Sequence, residues 1–227
     1  MFAVIFIVQP KVVNEYLDLG KYLRPKLEAI DGFLDNDRGA STRGERRLLS
    51  LSTWRDEKAV VRWRTQPDHH RVQEKGRFEI FENYQLWIGE FTHDSDAPGG
   101  GRLEQQRFDE TEAGAAKATT VTEITPDEGN KLGVPSAELP ANLGLGQTHG
   151  LVDVEAFDSI YHPGKVIVMA FWRDAKSAET WTPRRADGAA RMRHRRVRII
   201  RAYGMSDRRE APQYYPEVDR SQRSAAQ

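Results

Sequence analysis

The sequence contains no cysteine, which excludes disulfides, thiolate metal sites and a cysteine nucleophile and suits a reducing compartment. Basic and acidic residues balance at 34 each, so no overall field steers the chain toward nucleic acid or an anionic membrane. No apolar run approaches the ~20 residues that a membrane-spanning helix needs, and the opening MFAVIFIVQP lacks the pattern of a signal peptide. We therefore expect a cytoplasmic protein with neither a nucleic-acid nor a membrane partner.

An internal repeat runs through the chain. The ten residues from Trp54 to Trp63 read WRDEKAVVRW and the ten from Trp172 to Trp181 read WRDAKSAETW, with Trp, Arg, Asp, Lys and Trp at the same places. The offset is constant, because 172 − 54 and 181 − 63 both equal 118. Self-similarity at a fixed offset defines the structural unit before any motif is weighed. The sequence therefore predicts two copies of one unit of roughly 100 residues.

Hydrophobic periodicity predicts the order of elements within each copy. The first copy reads strand, helix, strand, strand, helix, strand, which is a ferredoxin-like βαββαβ unit. Such a sheet carries helices on one face only, so a second copy is needed to bury the other face. We predict an α+β protein in which two ferredoxin-like βαββαβ repeats bury one face of their sheets against each other. The predicted divisions are 1–92 for the first repeat, 93–117 for a linker, 118–205 for the second, diverged repeat and 206–227 for a polar tail.

The second copy is expected to differ from the first in its helices. Seven glycine and proline residues crowd the segment 126–146, which excludes a long helix there and leaves a lid or a surface wrapping as the role of this segment. The second helix of each copy is predicted at 57–73, interrupted by Pro67, and at 175–192. On the last strands, Tyr203 is predicted to correspond to Tyr84.

The stretch from Arg47 to Glu90 carries a resemblance to a known family. It contains an apolar strand, the sequence Trp-Arg-Asp-Glu from Trp54, a second Trp seven residues after the Asp, a Pro-x-His step, a Gly-Arg pair and a strand with an aromatic residue just beyond it. This pattern resembles the antibiotic biosynthesis monooxygenase family. The resemblance implies small domains that pair into a dimeric α+β barrel, here within one chain. Family members include cofactor-independent oxygenases of phenolic polyketides, haem-degrading oxygenases and proteins of no known activity.

Three functions are consistent with this resemblance. The first is a cofactor-independent oxygenase that acts with O₂ on a small aromatic compound of phenolic or quinol type. The second is a binding or interaction protein that holds an apolar ligand without turnover, and the third is a haem-binding or haem-degrading monooxygenase. No flavin or transition metal is expected, because Gly99, Gly100 and Gly101 lack the flanking elements of a phosphate loop and no histidine has metal-ligand spacing. A homodimer is a candidate assembly.

The histidines beyond Trp63 are the leading catalytic candidates. His70 lies seven residues after Trp63 and shares its helical face, whereas the family pattern of Pro, one residue, then His indicates His69. Because Pro67 resets the helical phase, His69 is the first candidate and His70 the second, and either is the axial ligand in the haem alternative. An imidazole can accept a phenolic proton at neutral pH, although a surface or capping role is the structural alternative. Asp187 stands in the second copy where His69 stands in the first, so the site is predicted in the first half.

Tyr84 completes the predicted catalytic set, as a hydrogen-bond donor to a phenolic or quinone oxygen. Arg77 is predicted to bind a phenolate. Trp63 is predicted to form a pocket wall, although tryptophans at helical spacing more often pack in a core. Asn83 is a further substrate-binding candidate, but strand alternation places Asn83 and Tyr84 on opposite faces. Only a bulge would bring both side chains into one pocket.

Overall fold

The computed structural model describes residues 1–97 and 101–212, so Gly99, Gly100 and most of the expected tail lie outside the described residues. The first half consists of β1 (Phe2–Pro10), α1 (Val13–Glu28), β2 (Phe33–Ser41), β3 (Leu48–Trp54), α2 (Glu57–Thr65), α3 (Pro67–Lys75), a π-helical turn (Gly76–Ile80) and β4 (Phe81–Asp94). The second half consists of β5 (Ala118–Pro126), a 3₁₀ turn (Ser136–Glu138), α4 (Leu139–Asn142), β6 (Leu151–Ser159), β7 (Val166–Trp172), α5 (Ala175–Thr180) and β8 (Ala189–Gly204). No helix in the described part of the chain is long and apolar enough to cross a membrane.

Eight antiparallel strands close one barrel in the order β1-β3-β2-β6-β7-β5-β8-β4. Each half contributes four neighbouring strands with the same internal order, and every strand has a partner on both sides. Closure therefore leaves no sheet edge exposed. The predicted α+β fold of two paired ferredoxin-like repeats is confirmed.

The two seams of the barrel join equivalent positions of the halves. At the seam of β2 and β6, Ala40 pairs with Asp158, and these residues are separated by the same 118 positions as Trp54 and Trp172. At the seam of β4 and β8, Glu90 pairs with Arg198. These two residues are equivalent because Phe2 pairs with Glu90 as Ala118 pairs with Arg198. A pair of equivalent residues at each seam is the register that a two-fold arrangement requires.

Side-chain alternation divides every strand between the barrel interior and the outer face. The interior is a packed apolar core and includes Ile5, Ile7, Leu49, Leu51, Phe91, Val121, Phe157, Ile167, Met169, Phe171, Val197 and Ile199, each no more than 3% exposed. The expected linker also enters this core, because Ala113 and Ala116 pack against it and the amide of Thr111 donates to the carbonyl of Ile199. The expected linker therefore closes part of the barrel interior.

Pro67 divides the predicted helix 57–73 into two. Asp56 caps α2 by accepting from the amide of Ala59 at 2.8 Å, and Gln66 caps α3 by accepting from the amide of His69 at 2.7 Å. Proline is favoured in the first turn of a helix, where its missing N–H would have no partner. The break lets α3 turn independently of α2, and this sets the direction of the side chains that follow Pro67.

The second half covers the outer face of its sheet without long helices. As its glycine and proline content predicts, 126–146 forms only the 3₁₀ turn and the four-residue α4. Leu139, Leu143 and Leu145 of this segment are at most 1% exposed and pack on the sheet. Most of the other residues of the segment are exposed or half-buried, so the segment wraps the outer face of the sheet and is anchored there by these leucines.

Two predictions about the second half are wrong. The helix expected at 175–192 ends at Thr180, and the chain from Ala189 belongs to β8. Pro183 and Gly188 lie between them and disfavour continuation of a helix. Tyr203 does not correspond to Tyr84, because Val8 pairs with Tyr84 in the first half and the equivalent pair in the second half joins Ile124 to Met192.

An ion pair across the first seam provides a test of how the halves are held together. Nε and Nη2 of Arg47 donate to the fully buried carboxylate of Glu155 at 2.8 and 2.9 Å. Glu155→Ala should lower the free energy of unfolding by about 1.5–3 kcal/mol, because the guanidinium loses its partner and the strand loses a buried anchor.

Asp153→Ala is the matched control. Asp153 lies on the same strand and pairs with Arg43 at 2.7 Å, but both side chains are more than two-fifths exposed, so its loss should change the stability by less than about 1 kcal/mol. Urea unfolding of both variants measures the difference. Equal effects of the two substitutions would show that the Arg47–Glu155 pair does not stabilise the seam.

Candidate functional site

A cavity of about 170 Å³ lies between the outer face of the first-half sheet and helices α1, α2 and α3. The sheet lines it with Val4, Phe6, Asn36, Arg38, Ser50, Ser52, Leu86, Ile88 and Tyr203. The helices add Tyr16, Leu19, Gly20, Leu23, Arg24, Leu27, Val60, Trp63, Arg64, His69, Val72 and Gln73. Strand alternation explains why the first-half strands contribute mostly even-numbered residues. Phe81 at the start of β4 also lines the cavity, because a register shift opposite Pro10 interrupts the alternation there.

The cavity wall is rich in aromatic rings, and two of them come from the other half. Tyr161, in the turn between β6 and β7, lines the cavity, and its ring lies 4.7 Å from Cζ of Arg24 on α1. Tyr16 and Tyr203 line it from within the first-half helix layer and from β8. Burial raises the pKa of Tyr203 to about 12 and also raises the pKa of Tyr16. Both phenols are protonated at neutral pH and can only hydrogen-bond there.

His69 is held by its neighbours in one orientation. Its ring stacks on Trp63 with centroids 3.9 Å apart and planes 13° apart. Nδ1 lies 2.8 Å from the carbonyl oxygen of Trp63, and because a carbonyl only accepts, Nδ1 carries the proton and Nε2 carries the lone pair. The side-chain amide nitrogen of Gln73 lies 3.4 Å from Nε2. Burial lowers the pKa of His69 to about 4. The imidazole is therefore neutral at physiological pH, with a fixed tautomer.

The structure brings Trp63 and His69 together in the cavity wall and leaves the other polar candidates outside its lining. His70 is exposed on α3 and does not line the cavity. Asn83 is exposed on β4, also outside the lining. The break at Pro67 is the reason, since it turns His69 and not His70 toward Trp63.

Arg77 and Tyr84 lie behind the cavity wall. The ring of Tyr84 packs on Phe81, which lines the cavity, with centroids 5.9 Å apart. The hydroxyl of Tyr84 accepts from Nη1 of Arg77 at 3.3 Å and from Nη1 of Arg208 at 2.7 Å. Arg77 Nη1 also donates to the carbonyl of Met205 at 3.1 Å. These groups anchor the end of β8 and support the wall at Phe81.

Three arginines that the sequence reasoning did not identify line the cavity. They are Arg24, Arg38 and Arg64, and no aspartate or glutamate lines it. Arg38 points outward from β2, and its Cζ lies 4.8 Å from the ring centroid of Tyr16. The sequence carried one signal for this arrangement, namely Gly20 within the amphipathic helix α1, a residue that weakens a helix unless something packs against it.

The equivalent space in the second half is filled. Trp181 occupies the position equivalent to Trp63, but it packs on Trp172 with ring centroids 5.7 Å apart. It belongs to the same apolar cluster as the leucines of 126–146. Asp187, the counterpart of His69 by sequence offset, lies in a turn where its carbonyl accepts from the amide of Gly133. The space equivalent to the first-half cavity is therefore occupied by side chains in the second half.

Comparison with known proteins places these features in context. Residues 2–75 match the antibiotic biosynthesis monooxygenase family. The chain is 37% identical over 222 residues to the jasmonate monooxygenase ABM of Pyricularia oryzae strain 70-15, covering 95% of this chain and 99% of that protein. Among solved structures, the match to an anthrone oxidase-like protein covers 93% of this chain and 96% of that protein, with 15% sequence identity and a TM-score of 0.32. The match to an aldoxime dehydratase bound to butyraldoxime covers 91% of this chain and 80% of that protein, with 12% sequence identity and a TM-score of 0.47.

The pKa of His69 tests the geometry of this site. Trp63→Ala should raise that pKa from about 4 toward its ordinary value of 6.5, because the imidazole loses the ring that shields it from water. Nuclear magnetic resonance titration of the imidazole carbons measures it, with the dispersion of the amide spectrum as the control for folding. A parent value near 6.5, unchanged in the variant, would contradict the buried, stacked arrangement.

Proposed function

Because the chain belongs to the antibiotic biosynthesis monooxygenase family, we propose that it oxidises a small aromatic compound of phenolic or quinol type with O₂ in the first-half cavity. We further propose that no cofactor takes part. The observation that carries this proposal is the neutral imidazole of His69, fixed in a cavity lined by aromatic rings and guanidinium groups.

The proposed chemistry requires a substrate that can donate an electron to O₂ once it is deprotonated. In the balanced reaction a methylene group activated by the phenolic ring becomes a carbonyl. One atom of O₂ enters the product, and the other leaves as water with the two hydrogens. The substrate supplies all four electrons, so neither a metal nor a reductant is needed. The role of the protein is to stabilise the anion and to exclude water.

His69 and the cationic lining have complementary roles in this proposal. The lone pair on Nε2 of His69 accepts the substrate proton in exchange for its contact with Gln73, but a pKa of about 4 makes the imidazole a weak base. A phenol near pKa 10 would transfer its proton to it only if the resulting anion were strongly stabilised. Arg38 and Arg64 line the same cavity and provide that positive field.

A second substrate class is favoured by the relative from Pyricularia oryzae. That protein is named a jasmonate monooxygenase and is 37% identical to this chain, which supports a small carboxylate as the alternative substrate. Insertion of one oxygen atom into an unactivated C–H bond gives an alcohol and water only if two electrons come from a reductant. Dependence of turnover on an added reductant therefore separates the two classes.

Oxygen uptake by the parent and by two histidine variants tests the proposed function. His69→Ala should lower kcat/KM on the order of 10²-fold, the lower end of the effect of removing a proton acceptor. His70→Ala changes the exposed neighbour on the same helix and should alter it less than about threefold, because His70 is outside the cavity lining. Anthrones, hydroquinones and jasmonate are the substrates, with and without reductant and with labelled O₂.

Three outcomes would contradict the proposal. Equal effects of the two substitutions would remove the role of His69. Tight binding of the compounds without oxygen uptake would favour the binding-protein alternative. A Soret band in the absorbance spectrum of the purified protein would indicate haem.

The pH dependence of turnover provides an independent prediction. At pH 5.5 more than about nine tenths of an imidazole with a pKa of about 4 is neutral, against about one tenth for a pKa of 6.5. The acid limb of kcat/KM for a phenolic substrate should therefore fall below pH 5 and not near 6.5. Initial rates measured from pH 3.5 to 8 follow this limb, and the melting temperature of the protein is recorded at each pH. A midpoint near 6.5 would assign the acid limb to another group.

A further inference from the structure

We propose that Arg38 binds an anionic oxygen of the ligand, so that this cavity selects apolar molecules carrying one negative charge. The inference rests on the proposed use of the first-half cavity and goes beyond it by naming the charge of the ligand and the residue that recognises it.

The guanidinium of Arg38 lacks the partners that a buried cation normally has. Its Nε and Nη1 atoms are buried and have no hydrogen-bond partner among residues 1–97 and 101–212, and it forms no ion pair with any of them. Its Cζ lies over the ring of Tyr16, 4.8 Å from the ring centroid. Buried N–H groups without acceptors are destabilising and rare in proteins. An anionic ligand in the cavity would satisfy them.

The helix above Arg38 is shaped to admit the guanidinium. A methyl group on Gly20 would lie 2.6 Å from Cζ and from Nη1 of Arg38, closer than such atoms approach. Glycine inside a helix lowers the stability of the helix. At this position it leaves space for the guanidinium of Arg38. The space is next to the cavity, since both Gly20 and Arg38 line it.

The rest of the lining supports an apolar anion. No carboxylate lines the cavity, while Leu19, Leu23, Leu27 and Ile88 provide an apolar surface. Arg24 is paired with Glu28 at 2.8 Å, with both side chains about half exposed. Of the three arginines in the lining, Arg38 is the one whose guanidinium has buried nitrogens without a hydrogen-bond partner among the described residues. A ligand with an apolar body and one anionic group matches this distribution.

Calorimetry without oxygen, so that nothing is turned over, tests the inference with matched acid and ester probes. The carboxylate probes are jasmonate and 4-phenylbutyrate, each compared with its methyl ester. The phenolate probe is 4-nitrophenol, whose visible absorbance reports its ionisation when bound. In the parent, at least one acid should bind about tenfold or more tighter than its ester, or the bound nitrophenol should ionise at lower pH than in water.

The variants separate the charge of Arg38 from its packing. Arg38→Met should weaken binding of the anion by about 10- to 100-fold and change binding of the neutral ester less than about threefold. Arg38→Lys should restore part of the preference. Gly20→Ala should displace the guanidinium of Arg38 and weaken binding of the anion, while it stabilises helix α1. This variant therefore tests the inference even if Arg38→Met does not fold. Arg71→Gln is the control, because it removes an exposed arginine of α3 that lies outside the lining.

Several results would overturn the inference. The first is equal binding of acid and ester by the parent together with unshifted ionisation of the bound nitrophenol. The second is a preference for the acid that persists in Arg38→Met. The third is that no probe binds at concentrations up to about 1 mM, which corresponds to a binding free energy of about 4 kcal/mol. If anions bind through Arg38 but no compound consumes oxygen, the anion site stands and the monooxygenase proposal fails. If compounds are turned over without any preference for anions, the monooxygenase proposal stands and the anion site fails.

Discussion

The barrel depends on one constraint, which is that a four-stranded sheet has two faces and both must be covered. The inner faces of the two halves cover each other, and closure at two seams leaves no exposed edge. Because equivalent residues pair at each seam, neither half can shift along the other by one residue without exposing its interior side chains. The ion pair of Arg47 with the buried Glu155 crosses one seam and adds a polar anchor to this register.

Only the outer faces are free to diverge, and the divergence produces the site. In the first half, three helices cover the sheet and leave a cavity beneath them. In the second half, a segment unable to form long helices collapses onto the sheet, and its leucines fill the same space. The filled half still contributes, because Tyr161 from its β6–β7 turn lines the cavity of the other. Linkage in one chain allows one copy to retain a pocket while the other becomes support.

The electrostatic character of the cavity follows from this enclosure. Burial keeps His69 neutral and keeps the phenols of Tyr16 and Tyr203 protonated, so these groups offer hydrogen bonds without charge. Arg38 adds a guanidinium group to the lining of the same cavity. A neutral acceptor and a cation in the lining of one cavity suit a ligand that is bound, or reacts, as an anion.

The sequence by itself determined the duplication, because a pair of tryptophans is repeated at a fixed offset. It also determined the α+β class and the order of the strands along the chain, which depend on local periodicity. The absence of a long helix in 126–146 follows from its proline and glycine residues. The sequence also named Trp63 and His69, since Pro67 breaks the helix wherever the helix lies. Tertiary structure alone decided that Arg77 and Tyr84 lie behind the wall and that Arg38 lines the cavity. Those positions depend on which strands are neighbours and on the space left beneath α1, and no local pattern encodes a distance between elements so far apart in the chain.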